Sequence, residues 1–334
     1  MAKVLLVESI NEAGVRILKQ AGLEVVVSPS TDAGTLIRHL EDDVFGMIVR
    51  ASKLGGEVLA AAKNLKIVGR HGAGYNNIDV DAASKLDILV ANVPGANTYS
   101  VAEYVVSVML VMSRKLIEGD AALRSGKLSQ PGKSLPGLVK QYNLGGNELP
   151  GRCLGVIGFG KIGRKTAEMA AGLLQMKVMA YDPYVKTAPP GVQLVTDVKD
   201  IYRQADFISL HALVTKETEN MISTDELALM KPTAFLINAG RGELVDEQAL
   251  ADALRQGKIA GAALDVFKEE PPQIDNPLFS APNVLLTPHV AGVTDEAVEG
   301  LAIGSAQAVA DLYLGKKPAS IVNPEVWDRL APQK

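Results

Sequence analysis

Two side chains in the last third of the chain could combine anion binding with proton transfer. Arg241 follows a predicted strand at Ala234–Ile237, and His289 follows another at Val284–Leu286. Parallel strands end at one edge of a sheet, where such sheets bind ligands. A guanidinium can bind a carboxylate through two hydrogen bonds, and a histidine beside a carboxylate can carry a proton. Taken singly, each has an ordinary alternative, a surface charge before a helix or a loop histidine bonded to the backbone.

A glycine-rich turn gives these residues a context. It reads GFGKIG, follows the apolar strand Leu154–Ile157 and opens a predicted helix. In that context the turn predicts a dinucleotide site. The first glycine permits a tight turn, the second lets the backbone approach a pyrophosphate, and the third lets helix and strand pack closely, while the helix amides face the phosphates. The predicted cofactor contacts here are Gly158, Gly160, Lys161, Ile162 and Gly163.

An acidic residue follows at the spacing that such a site requires. The next predicted strand, Val178–Tyr181, leads into Asp182, which is 19 residues beyond Gly163. A carboxylate there can accept hydrogen bonds from the adenosine ribose and would repel a 2′-phosphate, so NAD is predicted rather than NADP. The alternative is a glycine turn that only caps a helix, with Asp182 beginning a loop.

Short apolar strands alternate with helical segments throughout the chain, which predicts an α/β fold with parallel sheets. A first series covers residues 1–100, and the helix Val101–Arg114 leads toward a second. Residues 126–151, rich in glycine and proline, are predicted to be a loop or lid, and the helix Thr294–Leu314 is expected to return the chain to the first domain. The expected strands are Val4–Val7, Val25–Val27, Met47–Val49, Ile67–Val68, Ile88–Val90, Cys153–Ile157, Val178–Tyr181, Phe207–Leu210, Ala234–Ile237, Ala262–Val266 and Val284–Leu286.

Composition excludes several classes of protein. The 334 residues predict two domains, and the 47% hydrophobic content is enough for packed cores. A net charge of −4 without a basic cluster disfavours nucleic-acid binding. The single cysteine, Cys153, cannot form an internal disulfide, and the longest apolar stretch, Val105–Met112, is far shorter than a membrane span. We therefore expect a cytoplasmic protein with neither a membrane nor a nucleic-acid partner.

Segments spread over nearly the whole chain resemble the D-isomer-specific 2-hydroxyacid dehydrogenase family. They are GAGYNNID at 72–79, residues 97–103, NAGRG at 238–242, DVFKEEP at 265–271 and TPHVAG at 287–292. The resemblance implies two Rossmann-like, doubly wound domains, the first flavodoxin-like and discontinuous, with the active site in the cleft between them. It implies a substrate-binding domain of residues 1–100 and 297–334, an NAD-binding domain of residues 101–296, and a homodimer.

The resemblance also implies roles for individual residues. His289 becomes the general acid and base, Glu270, the acid directly before Pro271, becomes its partner, and Arg241 binds the substrate carboxylate. Asp265 resembles the residue that bonds the nicotinamide carboxamide, although an acid that ends a strand is the ordinary alternative. The further cofactor contacts that it implies are Thr98, Val101, His211, Ala239 and Gly292, and the further substrate contacts are Ser52, Ala73, Gly74 and Asn97.

Departures from the family pattern leave the substrate open. Leu128 stands where the family often has tryptophan, and Ala212–Thr215 replaces a segment that commonly contains proline. Arg50 and Lys53 fall near the position where phosphate-binding relatives hold an anion. The favoured substrates are hydroxypyruvate or glycerate and 3-phosphoglycerate, with lactate and glyoxylate as further candidates.

Two other functions fit the same scaffold. An NAD(H)-sensing interaction protein, similar to transcriptional corepressors, can retain the same charged residues, and a phosphite dehydrogenase would share them. Formate dehydrogenase is less favoured, because its pattern has glutamine where this chain has Glu270. Turnover at metabolic rates, against tight NADH binding without turnover, separates an enzyme from a sensor.

Overall fold

The computed structural model describes residues 2–40 and 43–330. The chain divides into two compact units, one drawn from Met1–Asn97 and Gly292–Lys334 and the other formed by Thr98–Ala291. Each unit has a parallel β-sheet with its own helices, so the predicted α/β architecture is confirmed.

The first unit begins with five strands that alternate with four helices. The strands are β1 Lys3–Leu6, β2 Glu24–Val27, β3 Val44–Val49, β4 Ile67–Arg70 and β5 Leu89–Ala91, and the helices are α1 Glu12–Gln20, α2 Ala33–His39, α3 Gly56–Ala61 and α4 Val80–Lys85. The order β2-β1-β3-β4-β5, with every pair parallel, is the flavodoxin-like order. Side-chain caps from Asn11, Asp32 and Asp79 set where three of the helices begin.

The second unit opens with three helices and then forms a seven-stranded sheet. The helices are α5 Thr98–Ser113, α6 Leu116–Arg124 and α7 Leu135–Gln141; the rest are β6 Cys153–Ile157, α8 Lys161–Leu174, β7 Lys177–Tyr181, β8 Val192–Leu194, α9 Val198–Gln204, β9 Phe207–Leu210, α10 Thr224–Leu229, β10 Phe235–Asn238, α11 Glu247–Arg255, β11 Gly261–Leu264 and β12 Val284–Leu286. All neighbours in the order β12-β11-β10-β9-β6-β7-β8 are parallel, and the order reverses between β6 and β9. Such a reversal is where doubly wound sheets bind ligands.

Two helices after Ala291 belong to the first unit. They are α12 Asp295–Tyr313 and α13 Pro324–Leu330. Before α13, the buried Asn323 accepts a hydrogen bond from the Val90 amide at 2.8 Å and donates to the Ile88 carbonyl at 3.0 Å. These bonds attach the C-terminal segment to β5, so the returning chain completes the edge of the first sheet.

The segment 126–151 was predicted as a loop, and this prediction is wrong in part. Helix α7 lies inside it, capped by Ser134 and carrying Pro136 in its first turn. Proline is tolerated there because the first turn has no helical acceptor for its missing N–H. Leu128 and Leu138 are buried together against Ala122, so the segment has a small core of its own.

Among the described residues, no helix combines the length and the apolar character needed to cross a membrane.

Candidate active site

The glycine turn after β6 is shaped by close backbone approaches. Gly158 has a φ of 92°, and a Cβ built on it would lie 2.5 Å from the His211 carbonyl carbon. A Cβ on Gly163 would lie 2.2 Å from the Gly158 oxygen. A Cβ on Gly160 would meet no atom within 4 Å, so the backbone there is open to a ligand. With the first amides of α8 beyond it, the turn fits the pyrophosphate of a dinucleotide.

Asp182 lies beside this turn, at the end of β7. Its Oδ2 accepts a hydrogen bond from the Phe159 amide at 2.8 Å, and its Oδ1 accepts one from the Tyr184 amide at 2.9 Å. Each carboxylate oxygen can accept a second hydrogen bond. The two amides therefore fix the carboxylate next to the glycine turn and leave it able to bind a pair of hydroxyl groups.

His211 lies under the same turn and is neutral at physiological pH. Its Nε2 is 2.9 Å from the hydroxyl of Ser209 in β9. Burial lowers the pKa of His211 to about 4, because desolvation disfavours the charged ring. A histidine with this pKa supports the turn and is not the proton donor of a reaction near neutral pH.

Arg241 is presented by a short turn after β10 that Asn238 organises. The fully buried Asn238 accepts a hydrogen bond from the Gly240 amide at 3.1 Å and donates to the Arg241 carbonyl at 2.8 Å. The Arg241 guanidinium itself donates to the Gly240 carbonyl at 2.7 Å. Ala239 lies within this turn. The role of Asn238 was not predicted from the sequence, since an asparagine at the end of a strand is common.

Gly242 brings the Arg241 turn against the loop that carries Glu270. A Cβ on Gly242 would lie 1.9 Å from the Phe267 carbonyl carbon, so only glycine allows this approach. The loop is also tied to α11, because Glu247 accepts hydrogen bonds from the Lys268 amide at 2.8 Å and from the Asn276 side chain at 2.7 Å. These contacts set the position of the Glu270 carboxylate, and neither was predicted from the sequence.

His289 and Glu270, predicted as partners, are in direct contact. The His289 Nδ1 is 2.8 Å from the Glu270 Oε2, and the Phe267 amide donates to the Glu270 Oε1 at 3.1 Å. Burial opposes ionisation of Glu270, but the bonds from His289 and Phe267 outweigh it and lower the pKa of this carboxyl, with Arg241 acting in the same direction. A carboxylate partner makes Nδ1 the donor in this bond and leaves Nε2 as the ring nitrogen available to exchange a proton with a ligand.

Asp265 holds the loop on which His289 stands. Its buried carboxylate accepts hydrogen bonds from the Thr287 hydroxyl at 2.6 Å and from the Val290 and Ala291 amides at 2.8 Å each. Its carbonyl accepts from the His289 amide at 2.7 Å. His289 has a φ of 56°, a left-handed conformation that this network enforces.

Tyr104 of α5 extends the hydrogen-bond network of Asp265 through Thr287. Its hydroxyl is 2.7 Å from that of Thr287. Because the Thr287 proton goes to Asp265, Tyr104 must be the donor in this bond. Burial raises the pKa of Tyr104 to about 12, and the nearby Asp265 charge also raises it, whereas the hydrogen bond with Thr287 lowers it. The phenol therefore keeps its proton. Two further predicted residues, Thr98 and Val101, lie on the same helix. Thr98 is at its start, and its buried hydroxyl has no hydrogen-bond partner among the described residues, while the Val101 side chain is buried.

The first unit holds the remaining predicted residues on the loops after its strands. Ser52 follows β3, where its hydroxyl donates to Glu8 at 2.6 Å. Ala73 and Gly74 follow β4, and the Ala73 carbonyl accepts from Asn92 at 2.6 Å. Asn97 lies beside Gly292, with a side-chain oxygen that is buried and unpaired among the described residues.

Comparisons with known proteins agree with this geometry. Residues 106–291 match the family model of the D-isomer specific 2-hydroxyacid dehydrogenase, NAD binding domain. The chain is 36% identical to a glyoxylate reductase from Thermofilum pendens, over 97% of this chain and 95% of that protein. It is also 36% identical to a D-3-phosphoglycerate dehydrogenase from Methanocaldococcus jannaschii, of which it spans 60% of the length while 97% of this chain is matched.

A solved structure shares the fold over the full length. An NADPH-dependent glyoxylate/hydroxypyruvate reductase from Sinorhizobium meliloti is 28% identical, with a TM-score of 0.84 over 97% of this chain and 99% of that one. The family match covers more than half of the chain, and the glyoxylate reductase match extends over nearly all of it. The chain belongs to the D-isomer-specific 2-hydroxyacid dehydrogenase family, and its residues 106–291 match that family's NAD binding domain.

Proposed function

We propose that the protein is an NADH-dependent oxidoreductase that interconverts a small 2-keto acid and the corresponding D-2-hydroxy acid. The observation that carries the proposal is the hydrogen-bonded pair of His289 and Glu270 beside Arg241, at the carboxyl ends of β10, β11 and β12. A guanidinium and a proton donor held at one sheet edge supply what a keto acid needs, a counter-charge for its carboxylate and a proton for its carbonyl oxygen.

In the proposed mechanism each residue has one task. Arg241 binds the substrate carboxylate and polarises the carbonyl, and protonated His289 donates from Nε2 to the carbonyl oxygen. Glu270 stays a carboxylate and stabilises the imidazolium through Nδ1. A bound nicotinamide cofactor supplies the hydride that the carbonyl carbon accepts. The product is the hydroxy acid, and His289 is left neutral. Oxidation of the hydroxy acid runs through the same groups, with neutral His289 taking the hydroxyl proton.

The proposed cofactor is NAD(H) rather than NADP(H). Asp182 is fixed by two backbone amides and presents acceptor positions that suit ribose hydroxyls. The same carboxylate would repel a 2′-phosphate. Gly158, Gly160 and Gly163 would let the cofactor approach. The other contacts that we propose are Lys161, Ile162, Thr98, Val101, His211, Ala239, Asp265 and Gly292.

The proposed substrates are glyoxylate and hydroxypyruvate, because these relatives match over nearly their whole length. Phosphohydroxypyruvate, with 3-phosphoglycerate as its reduced counterpart, is a second candidate. It is supported by the similarity to phosphoglycerate dehydrogenases and by Arg50 and Lys53 after β3, which could bind a phosphate. In both cases we propose that Ser52, Ala73, Gly74 and Asn97 contact the substrate.

A panel of keto acids tests this function. NADH absorbance is followed with glyoxylate, hydroxypyruvate, phosphohydroxypyruvate and pyruvate, and each assay is repeated with NADPH. We expect rapid NADH oxidation with glyoxylate or hydroxypyruvate and a kcat/KM at least about tenfold lower with NADPH, since one misplaced charge costs more than the 1.4 kcal/mol of a tenfold change. Tight NADH binding without turnover of any keto acid would contradict the enzyme and favour a sensor.

We also propose that the protein is a homodimer. Several large apolar side chains of the second unit are exposed, with Leu116, Ile117 and Leu123 on α6 at 54%, 50% and 56% and Leu173 on α8 at 70%. Covering such side chains is a common reason for association. Light scattering after size-exclusion chromatography should give twice the monomer mass of 35.3 kDa. A monomer at micromolar concentration would contradict the proposal.

A further inference from the structure

Glu8, two residues beyond β1, makes an unusual set of contacts for a half-buried carboxylate. Its Oε2 accepts a hydrogen bond from the Arg50 amide at 2.8 Å, and its Oε1 accepts from the Ala51 amide at 3.1 Å. Oε1 also accepts from the amide and the hydroxyl of Ser52, at 2.8 and 2.6 Å. Three successive amides therefore point at a side chain that is more than forty residues away in sequence.

The carbonyl side of the same loop is held by Asn77. Its amide nitrogen donates to the carbonyls of Arg50 at 3.1 Å and Ser52 at 2.8 Å. The Asn77 carbonyl also accepts from the Leu54 amide at 2.7 Å. The loop after β3 is thus fixed by the Glu8 carboxylate on one side and the Asn77 carboxamide on the other. Through Asn77, the segment that follows Gly72–Gly74 is bonded to this loop.

This arrangement bears on the side chains that the proposed function needs. Arg50, Ser52 and Lys53 stand on the loop, and the Arg50 guanidinium bonds the Ser9 carbonyl at 3.2 Å, next to Glu8. The Ser52 hydroxyl gives its proton to Glu8 and keeps its lone pairs. Without an internal anion, three adjacent N–H groups would need another acceptor, and the loop could adopt other conformations.

We propose that Glu8 is a positioning residue for substrate binding. It gathers the amides of Arg50, Ala51 and Ser52 and so fixes the loop that contacts the substrate. The inference rests on the proposed function, because it assumes that this loop binds the keto acid. Glu8 itself touches neither substrate nor cofactor in this role. Its loss should therefore weaken substrate binding and leave the chemical step and the cofactor site unchanged.

The test compares Glu8→Gln with Asp32→Asn, both of which replace a carboxylate by its amide in the first unit. In Glu8→Gln an NH₂ group replaces one oxygen and faces an N–H group, so at least one bond is lost and the others lose charge assistance. Asp32 instead accepts hydrogen bonds from the Ser30 hydroxyl at 2.6 Å and from the Thr35 amide at 2.8 Å, at the start of α2. An asparagine keeps that cap.

We expect Glu8→Gln to raise KM for the best keto acid at least about tenfold, which corresponds to the loss of one charge-assisted hydrogen bond. The values of kcat and of the Kd for NADH should stay within about twofold of the wild type. Glu8→Asp, which restores the carboxylate on a shorter stem, should recover part of the loss. Hydrogen exchange at Arg50, Ala51 and Ser52 should accelerate in Glu8→Gln while the Tm stays close to that of Asp32→Asn.

Three results would overturn the inference. The first is an unchanged KM in Glu8→Gln, and the second is an equal rise of KM in Asp32→Asn, which would show a general loss of stability. The third is a fall of kcat or of NADH affinity that matches the change in KM. A wild-type protein that turns over no keto acid removes the proposed function and this inference together, whereas an active wild type with a silent Glu8→Gln removes the inference alone.

Discussion

Replacing His289 by asparagine should lower kcat for keto-acid reduction by about 10²–10⁴-fold, the usual contribution of a positioned general acid. Asparagine is the informative substitution because His289 has a φ of 56°, and asparagine tolerates the left-handed region better than most residues. The new amide can still donate to Glu270, so the loop keeps its anchor. What the variant lacks is a group that can give up a proton.

The measurement is kcat by NADH absorbance, with the Kd for NADH obtained from fluorescence titration of the same preparation. His39→Asn is the matched control, because His39 is an exposed residue at the end of α2 whose Nδ1 bonds the Thr35 carbonyl of the same helix at 2.9 Å. It should retain the wild-type kcat. A kcat for His289→Asn within about tenfold of the wild type, with unchanged NADH binding, would contradict the role of His289 as proton donor.

The same assignment sets the dependence of each direction on pH. Reduction needs protonated His289 and should slow as pH rises, whereas oxidation needs neutral His289 and should accelerate over the same range. The pKa of Glu270 is held below its ordinary value, so this partner is a carboxylate throughout the neutral range. Its charge is lost only when the pH falls through that lowered pKa. Glu270→Gln should therefore slow reduction, since no carboxylate charge would stabilise the imidazolium that donates the proton. Parallel profiles for the two directions would count against a proton carried by His289.

The parts of the fold that sequence patterns predicted are those with local signals. The alternation of apolar strands and helices located every strand of the first sheet and six of the seven in the second. Strand β8 was missed because it has only three residues, one of them the exposed Gln193. Helix α7 was missed because Pro136 and Gly137 suggest a loop, although a proline in the first turn is compatible with a helix.

The site divides in the same way. Spacing alone suggested Gly158, Asp182 and the strand-end position of Arg241, because strand, turn and helix lie together in sequence. The residues that support the site instead make long-range contacts. Tyr104 bonds Thr287, which is 183 positions away in the sequence, and Glu8 bonds the β3 loop, more than forty positions away. A single acid or tyrosine carries no local sign of such a partner, since the same residue in another fold would be solvated. Only the folded chain identifies these residues.

Removing the charge of Arg241 should have the second large effect. Arg241→Gln should lower kcat/KM for the preferred keto acid by roughly 30–3000-fold, because losing one partner of a desolvated charge pair costs about 2–5 kcal/mol and each tenfold is 1.4 kcal/mol. The kcat/KM of Arg241→Lys should lie between those of the wild type and of Arg241→Gln, because lysine keeps the charge and loses the paired hydrogen-bond geometry. Arg329→Gln, which removes an exposed partner of Asp87, is the matched control and should be silent.

The nature of the substrate separates this role from a general disturbance of the site. If Arg241 binds the carboxylate, the variant should lose most of its preference for glyoxylate over an aldehyde of the same size that has no carboxylate, because the aldehyde never used the guanidinium. The turn itself should persist, since Asn238 bonds the backbone of Gly240 and Arg241 rather than the guanidinium. Equal losses on the acid and the aldehyde, or a matching loss of NADH affinity, would assign Arg241 to the cofactor or to the turn. A loss confined to the acid would identify Arg241 as the carboxylate-binding group, and the His289–Glu270 pair beside it would then face a substrate held by its acid end.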